Sequence, residues 1–238
     1  MTGVFFGCTL LLQEDLKRSL ESFLKKINLN YEPLGIDECC GIPLILSGFT
    51  KEAREHGIKI ANKFKEKNID KIITHCPHCF TAFKHEYSEK LGINMNIPVF
   101  HLTQFVWDLM KDGRLKTKRE VNLKVVYHDP CYTGRQGDKI FEEPRNILNS
   151  IKGINLVEFD LNRDNSTCCG GGGLLRAVYP KLSVEVAKEK IELQSTGLGV
   201  DAIVSCCPFC DVNLKEGADE LKTKIKVYDL VNILEEAL

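Results

Sequence analysis

The stretch DKIITHCPHC, Asp70 to Cys79, decides the architecture. Ile72 and Ile73 form an apolar run too short for a helix, entered from a polar residue and ended at a cysteine. That pattern predicts a short buried strand. Pro77 stands where a helix can begin, because the first helical N–H has no partner and the proline ring presets the required φ. Phe80, Phe83, Tyr87 and Leu91 then recur at helical spacing. A strand therefore runs directly into a helix, with Cys76 and Cys79 at the junction. The same arrangement returns in DAIVSCCPFC, Asp201 to Cys210, with Cys207 and Cys210 at the junction.

Working outward, the repeat includes nearly every cysteine. Cys8, Cys39, Cys40, Cys76 and Cys79 correspond to Cys131, Cys168, Cys169, Cys207 and Cys210, at offsets of 123, 129, 129, 131 and 131 residues. Each set reads as one cysteine, then CCG, then C-P-x-C. Ten of the 11 cysteines fit, and Cys206 is left over. Each half opens with an apolar run, GVFFGC or LKVVYHDPC, which places the first cysteine just past a strand end. Leu16, Leu20, Phe23, Leu24 and Ile27 follow at helical spacing, and a charged amphipathic segment separates CCG from C-P-x-C. A last strand and helix close each half, in IPVFHLTQFVWDLM and IKVYDLVNILEEAL. Strands alternating with helices predict an α/β fold, a tandem pseudo-repeat in which each half has a small, mostly parallel sheet flanked by helices. The polar stretch Lys111–Asn122 suggests the division, giving a first repeat over 1–115 and a second over 116–238.

Composition narrows the function. The chain has 238 residues, a net charge of −1 and no basic run, which argues against nucleic-acid binding. VFFGCTLLL is too short to span a membrane and lacks the basic leader of a signal peptide, so a cytoplasmic protein is expected. An odd number of cysteines in a long chain of this kind points to metal or redox chemistry rather than to a disulfide scaffold.

The C-P-x-C cysteines lie at helix N-termini, where the positive end of the dipole favours thiolates and an anionic centre. The remaining cysteines come from neighbouring strand ends, on the side of an α/β sheet where ligands usually sit. Five thiolates per half exceed the four of a structural zinc, and adjacent cysteines rarely both reach one small ion. A multi-iron centre accepts them at different irons. A zinc site with one spare cysteine is the competing reading, more so in the first half. The ferredoxin run C-x2-C-x2-C-x3-C-P is absent.

The doubled pattern C-x(30–36)-C-C-G-x(34–36)-C-P-x-C resembles the cysteine-rich CCG domains of heterodisulfide reductase and related iron–sulfur oxidoreductases. The likeness covers essentially the whole chain and is greatest in YHDPCYTGR, NRDNSTCCGGGG and CPFC. The resemblance implies a noncubane [4Fe–4S] cluster on each five-cysteine set, with a disulfide split between the two. Such a subunit serves anaerobic, methanogenic metabolism in the best-known relatives. The chain is shorter than the methanogenic catalytic subunit, so insertions that shape the substrate site are missing. In some relatives the first site holds zinc. Other relatives are electron-relay subunits of lactate, glycolate, glycerol-3-phosphate or succinate dehydrogenase systems, and that is the alternative function. A zinc-stabilised assembly scaffold is a third. No G-x-G-x-x-G fingerprint is present, so electrons must come from a partner, a ferredoxin-like [4Fe–4S] subunit or a flavin subunit.

Other residues carry smaller expectations. His128, three residues before Cys131, is a candidate proton donor, against a bracing role in its loop. Arg135 and Arg176 follow second-half motifs and are candidates for binding an anionic substrate tail. His75 and His78 flank the first C-P-x-C, either beside the cluster or exposed at the helix start. His101 is expected to be buried and structural, and His56 and His85 to lie on the surface. Cys206, next to a proposed ligand on a strand, should point away from it as a small buried hydrophobe. The four glycines after Cys169 are expected to clear space for the cluster or for what approaches it, or to form a tight turn.

Overall fold

The computed structural model describes residues 1–238. It contains two four-stranded parallel sheets. The first has β1 (Thr2–Phe5), β2 (Glu32–Leu34), β3 (Lys71–Thr74) and β4 (Val99–His101), in the order β2-β1-β3-β4. The second has β5 (Leu123–Tyr127), β6 (Ile154–Val157), β7 (Ala202–Ser205) and β8 (Lys226–Asp229), in the order β6-β5-β7-β8. The α/β tandem repeat read from the sequence is thus present, with identical strand order in both halves.

Two strands escaped the sequence reading. β2 is only three residues long and contains Pro33, a residue that cannot donate to a ladder. It is tolerated because β2 is an edge strand paired on one side with β1. β6, its counterpart, is likewise an edge strand and none of its residues is buried, so it lacks the apolar run that betrays a central strand.

Side chains alternate between the two faces of each sheet and so divide the core in three. Val4, Phe6, Ile73, Val125, Tyr127 and Val204 face a shared interior. Four helices fill it: Glu14–Lys26, Leu102–Lys111, Glu142–Asn149 and Leu230–Ala237. Leu20 and Phe23 of the first and Leu230 and Leu234 of the last are all fully buried there. Phe5 and Ile72 face the other way, onto helix Thr50–Glu66 and the helix opened by Pro77. Val126 and Ile203 do the same beneath helices Pro180–Lys190 and Pro208–Glu220.

The halves are also joined by polar contacts. His75 Nε2 and Asp229 Oδ2 are 2.9 Å apart, both fully buried, and Asp229 Oδ1 caps the last helix by accepting from Val231 N at 2.9 Å. The Gln13 amide donates to the Pro208 carbonyl at 3.0 Å, and Thr81 Oγ1 to the Tyr132 carbonyl at 3.2 Å. No helix is long and apolar enough to cross a membrane.

Candidate metal centres

In each half the thiols gather at the carboxyl ends of the parallel strands. Strand order reverses between β1 and β3, and between β5 and β7, which opens a crevice there. Cys8 follows β1, Cys39 and Cys40 lie on the loop after β2, and Cys76 and Cys79 follow β3. Cys76 and Cys207 are the N-cap residues of their helices, with proline next, as the C-P-x-C reading requires. All 11 cysteines are free.

The adjacent thiols of each CCG, Cys39 with Cys40 and Cys168 with Cys169, interact with each other and link the outer and inner members of their set. Cys39 Sγ lies 3.9 Å from Cys8 Sγ, whereas Cys40 faces Cys79 and Cys76. In the second half Cys168 faces Cys131, and Cys169 Sγ lies 3.1 Å from Cys210 Sγ. Each site thus has an outer pair and a buried trio. Cys8 and Cys168 are exposed, Cys39 and Cys131 half-buried, and the other six buried. A donor set spread in this way suits a group several ångströms across better than one tetrahedral ion.

Backbone N–H groups aim at the sulfurs. Gly41 N lies 3.4 Å from Cys39 Sγ, Gly170 N 3.3 Å from Cys168 Sγ, and Gly171 N 3.4 Å from Cys169 Sγ. Gly41 and Gly170 adopt φ of 79° and 82°, a left-handed conformation that glycine enters without strain, and this turns their N–H groups back toward the thiols. Such bonds favour thiolate. Hydrogen bonds from Cys39 and Cys79 bring Cys40 down to about 6. For Cys207 burial acts upward, and the hydrogen bonds of Cys210 and His78 overcome it, giving about 7.

The glycine run makes a tight turn, with Gly170 and Gly173 at φ of 82° and 60°, and it is also hemmed in by the protein itself. A Cβ on Gly170 would lie 2.5 Å from the Ser183 carbonyl oxygen, and one on Gly171 2.5 Å from that of Phe209. One on Gly172 would meet the His78 ring at 2.9 Å. The run lets the loop lie flat on two helices and on a side chain of the other half.

His78 is the residue that the sequence underrated. It is buried rather than exposed, stacked on Tyr132 at 3.9 Å between ring centroids and 4.7 Å from Phe209. It therefore stands where the two sites adjoin. Burial works against its protonation, but Cys207 and Cys76 outweigh that and raise it to about 9. His75 is likewise buried, paired with Asp229. His101 is buried as expected, accepting from Thr103 N at 3.3 Å as the cap of its helix. His56 is not a free surface residue: its Nε2 lies 2.7 Å from the Cys39 carbonyl and its ring packs on Gly41. His85 is half-buried and pairs with Asp138 at 2.6 Å. Cys206 points into the shared interior, 2.9 Å from the Tyr127 hydroxyl, away from both sites.

His128 makes no loop-bracing bond. It is buried, both ring nitrogens lack partners, and its ligand atom lies within 4.8 Å of those of Cys169 and Cys210. Burial, with Lys190 nearby, holds it well below the ordinary histidine value, so the ring is neutral at pH 7. Arg135 donates to the carbonyls of Ser166 and Asp164, steadying the segment before Cys168. Arg176 donates to Asn213 Oδ1 at 2.6 Å and pairs with Glu216.

Between the two halves, lined by neighbours of the cysteines but by no cysteine itself, lies a cleft of about 500 Å³. The first half lines it with Thr9, Ile42, Pro43 and His78, and the second with Gly171, Leu174, Arg176 and Phe209. Its walls are mostly apolar, and Leu12 and Leu46 stand exposed at its edge.

A double five-cysteine centre on a duplicated parallel-sheet frame defines a class, and the relatives of the chain agree. The chain belongs to the cysteine-rich domain (CCG) family, whose profile matches residues 2–84 and 125–215. It is 35% identical over 242 residues to a dihydromethanophenazine:CoB–CoM heterodisulfide reductase subunit of Methanosarcina acetivorans, covering 98% of this chain and 58% of that protein. It is 32% identical over 238 residues to a fumarate reductase (CoM/CoB) subunit of Methanothermobacter marburgensis, covering 99% of this chain and 46% of that protein. The chain thus spans about half the length of the curated relatives it matches. Among solved structures, a hypothetical protein from Helicobacter pylori superposes with a TM-score of 0.65 at 12% identity, over 99% of this chain and 48% of that one, a likeness of fold alone. The chain is accordingly related to iron–sulfur oxidoreductase subunits.

Proposed function

We propose that this chain is the disulfide-reducing part of an oxidoreductase complex, with two [4Fe–4S] clusters of the noncubane kind. Cys8, Cys39, Cys40, Cys76 and Cys79 hold one, and Cys131, Cys168, Cys169, Cys207 and Cys210 the other. The observation that carries this reading is the cleft between the two halves, since a pure electron relay needs no ligand-sized space. Its walls include residues that adjoin both cysteine sets in the chain, such as Thr9 after Cys8 and His78 between Cys76 and Cys79 in the first, and Gly171 and Phe209 in the second. The clusters would supply electrons singly from both sides of the cleft. The balance is RSSR′ + 2 e⁻ + 2 H⁺ → RSH + R′SH, with electrons from a one-electron donor on a ferredoxin-like or flavin partner subunit in the cytoplasm.

The protein's own residues position and shield. Cys8 and Cys168 keep an exposed edge of each set, while the buried trios exclude water from the other edge. His78 and Phe209 pack side by side where the sites adjoin, and both line the cleft. His128 is the proposed proton donor. Its unpartnered ring faces the buried second-site sulfurs; as a neutral imidazole it offers one hydrogen-bond donor and one acceptor, and it passes a proton to a thiolate only after taking one up.

The assay uses the full chain, loaded with iron and sulfide under anaerobic conditions, with a reduced viologen dye as donor. Dye oxidation on adding a heterodisulfide is expected. No turnover by fully loaded protein would favour the relay reading instead. Arg176 gives a sharper result. Glu216 neutralises its guanidinium at the cleft wall, so Glu216→Gln should free it for a carboxylate-bearing disulfide. One charge-assisted bond should lower KM for that substrate about tenfold, or ~1.4 kcal/mol, and leave a neutral disulfide unaffected. An unchanged KM would remove Arg176 from the substrate site.

A further inference from the structure

Lys190, at the end of helix Pro180–Lys190, is 2% exposed. Its ammonium donates to Thr167 Oγ1 at 2.9 Å, Gln194 Oε1 at 3.2 Å and the Thr167 carbonyl at 3.4 Å, and stands 4.4 Å from the Phe159 ring centroid. Every one of these partners is neutral. A lysine buried this deeply is rarely found without an anion, because its hydration is lost. Asp129, a nearby carboxylate, is already engaged by both terminal nitrogens of Arg145, at 2.6 and 2.8 Å, and by Arg163 N at 2.8 Å. Thr167, which the ammonium holds through both hydroxyl and carbonyl, immediately precedes Cys168, so the charge stands beside the second cysteine set. Burial brings its pKa down to about 8, which leaves the charge in place at pH 7.

At the first site the matching ammonium is neutralised: Lys63 Nζ donates to Glu38, the residue before Cys39, at 2.8 Å and to Asp37 at 3.4 Å. A Cβ on Gly41 would first meet His56, and one on Gly170 Ser183, so the two helices correspond at an offset of 127 residues. That register makes Lys63 the counterpart of Lys190, and only Lys190 holds its partner residue without a carboxylate. Three residues before the first cysteine, Phe5 stands where the second half has His128. Phe5 packs edge-on against Phe83 at 4.8 Å, and Phe83 against Phe64 and Tyr87 at 5.5 and 5.3 Å. One cysteine set is backed by an aromatic cluster, the other by a buried ammonium and an unpartnered imidazole.

We infer that Lys190 is a positioning charge for the second cysteine set, raising the reduction potential of its cluster above that of the first, so that an arriving electron settles on the second site. A fixed positive charge stabilises the more negative, reduced form, and low-dielectric surroundings preserve the effect. The inference rests on the reading that both sets hold iron–sulfur clusters.

The test is a redox titration of the anaerobically loaded full chain followed by electron paramagnetic resonance, with the two signals assigned through Cys40→Ser and Cys169→Ser. The native chain should reduce its second site at the higher potential. Lys190→Met should make reduction of that site at least tenfold less favourable, a drop of about 59 mV for a one-electron couple, while the first site stays put. Lys190→Arg should keep the native value. An unmoved second-site midpoint in Lys190→Met, or a native first site reduced at the higher potential, overturns the inference. The native order and the arginine variant decide the matter if the methionine variant does not fold. Iron and sulfide sufficient for one cluster only would overturn the two-cluster reading, and this inference with it, before any titration.

Discussion

Cys169→Ser is expected to remove the second cluster and leave the first intact, cutting iron from about eight to about four atoms per chain. Cys169 is buried, and its sulfur lies 3.1 Å from that of Cys210, at the centre of the buried trio. A serine hydroxyl is a poorer ligand for iron than a thiolate and stays protonated at neutral pH. The first site should not notice, because all five of its cysteines lie between residues 8 and 79, on the other sheet. Cys169 packs in the outer core beneath helix Pro208–Glu220, not in the interior the halves share, so the frame should survive. Visible and paramagnetic resonance spectra of the variant should retain the first signal alone. Loss of both signals in folded protein would contradict two independent sites.

The second large effect is on stability. Arg145 is 3% exposed, and its guanidinium holds Asp129 through two hydrogen bonds, Glu158 through two more at 2.7 and 2.9 Å, and the Phe141 carbonyl at 2.7 Å. It also lies 5.1 Å from the Tyr127 ring centroid. Asp129, equally buried, belongs to the HDPC turn that delivers Cys131. Arg145→Met keeps most of the volume but leaves the Asp129 carboxylate buried with the Arg163 N–H as its remaining hydrogen-bond partner. Breaking a buried pair in this way costs about 3–5 kcal/mol. Against a typical total of roughly 5–15 kcal/mol, that is a large share. Urea titration of the metal-free chain should show the loss as a lower midpoint with unchanged slope. A change under about 1 kcal/mol would mean that the network is dispensable, as exposed ion pairs usually are. The freed turn should also hold iron at the second site less firmly.

Sequence patterns revealed whatever depends on local spacing. Strands β1, β3, β5 and β7 are short apolar runs ended by cysteines, and Pro77 and Pro208 mark helix starts, so frame and ligands could be read together. Cys206 followed from strand alternation alone. Features that depend on the two halves meeting could not be read. His78 could be read equally as lying beside the cluster or as exposed at a helix start, and only the packing of one half against the other places it between Tyr132 and Phe209. Lys190 sat in a charged helical stretch, KEKIELQ, where lysines usually face water. Arg145 gave no signal because its partners lie 13 and 16 residues away on different elements. β2 and β6 stayed hidden because edge strands need no apolar run.

The central claim is that both five-cysteine sets hold iron–sulfur clusters, and metal analysis of the full chain purified without oxygen tests it most directly. Iron, acid-labile sulfide and zinc are measured on the same sample. The account predicts about eight irons and as many sulfides per chain, with no stoichiometric zinc. One zinc per site with iron absent would contradict it and leave a zinc-stabilised scaffold in its place.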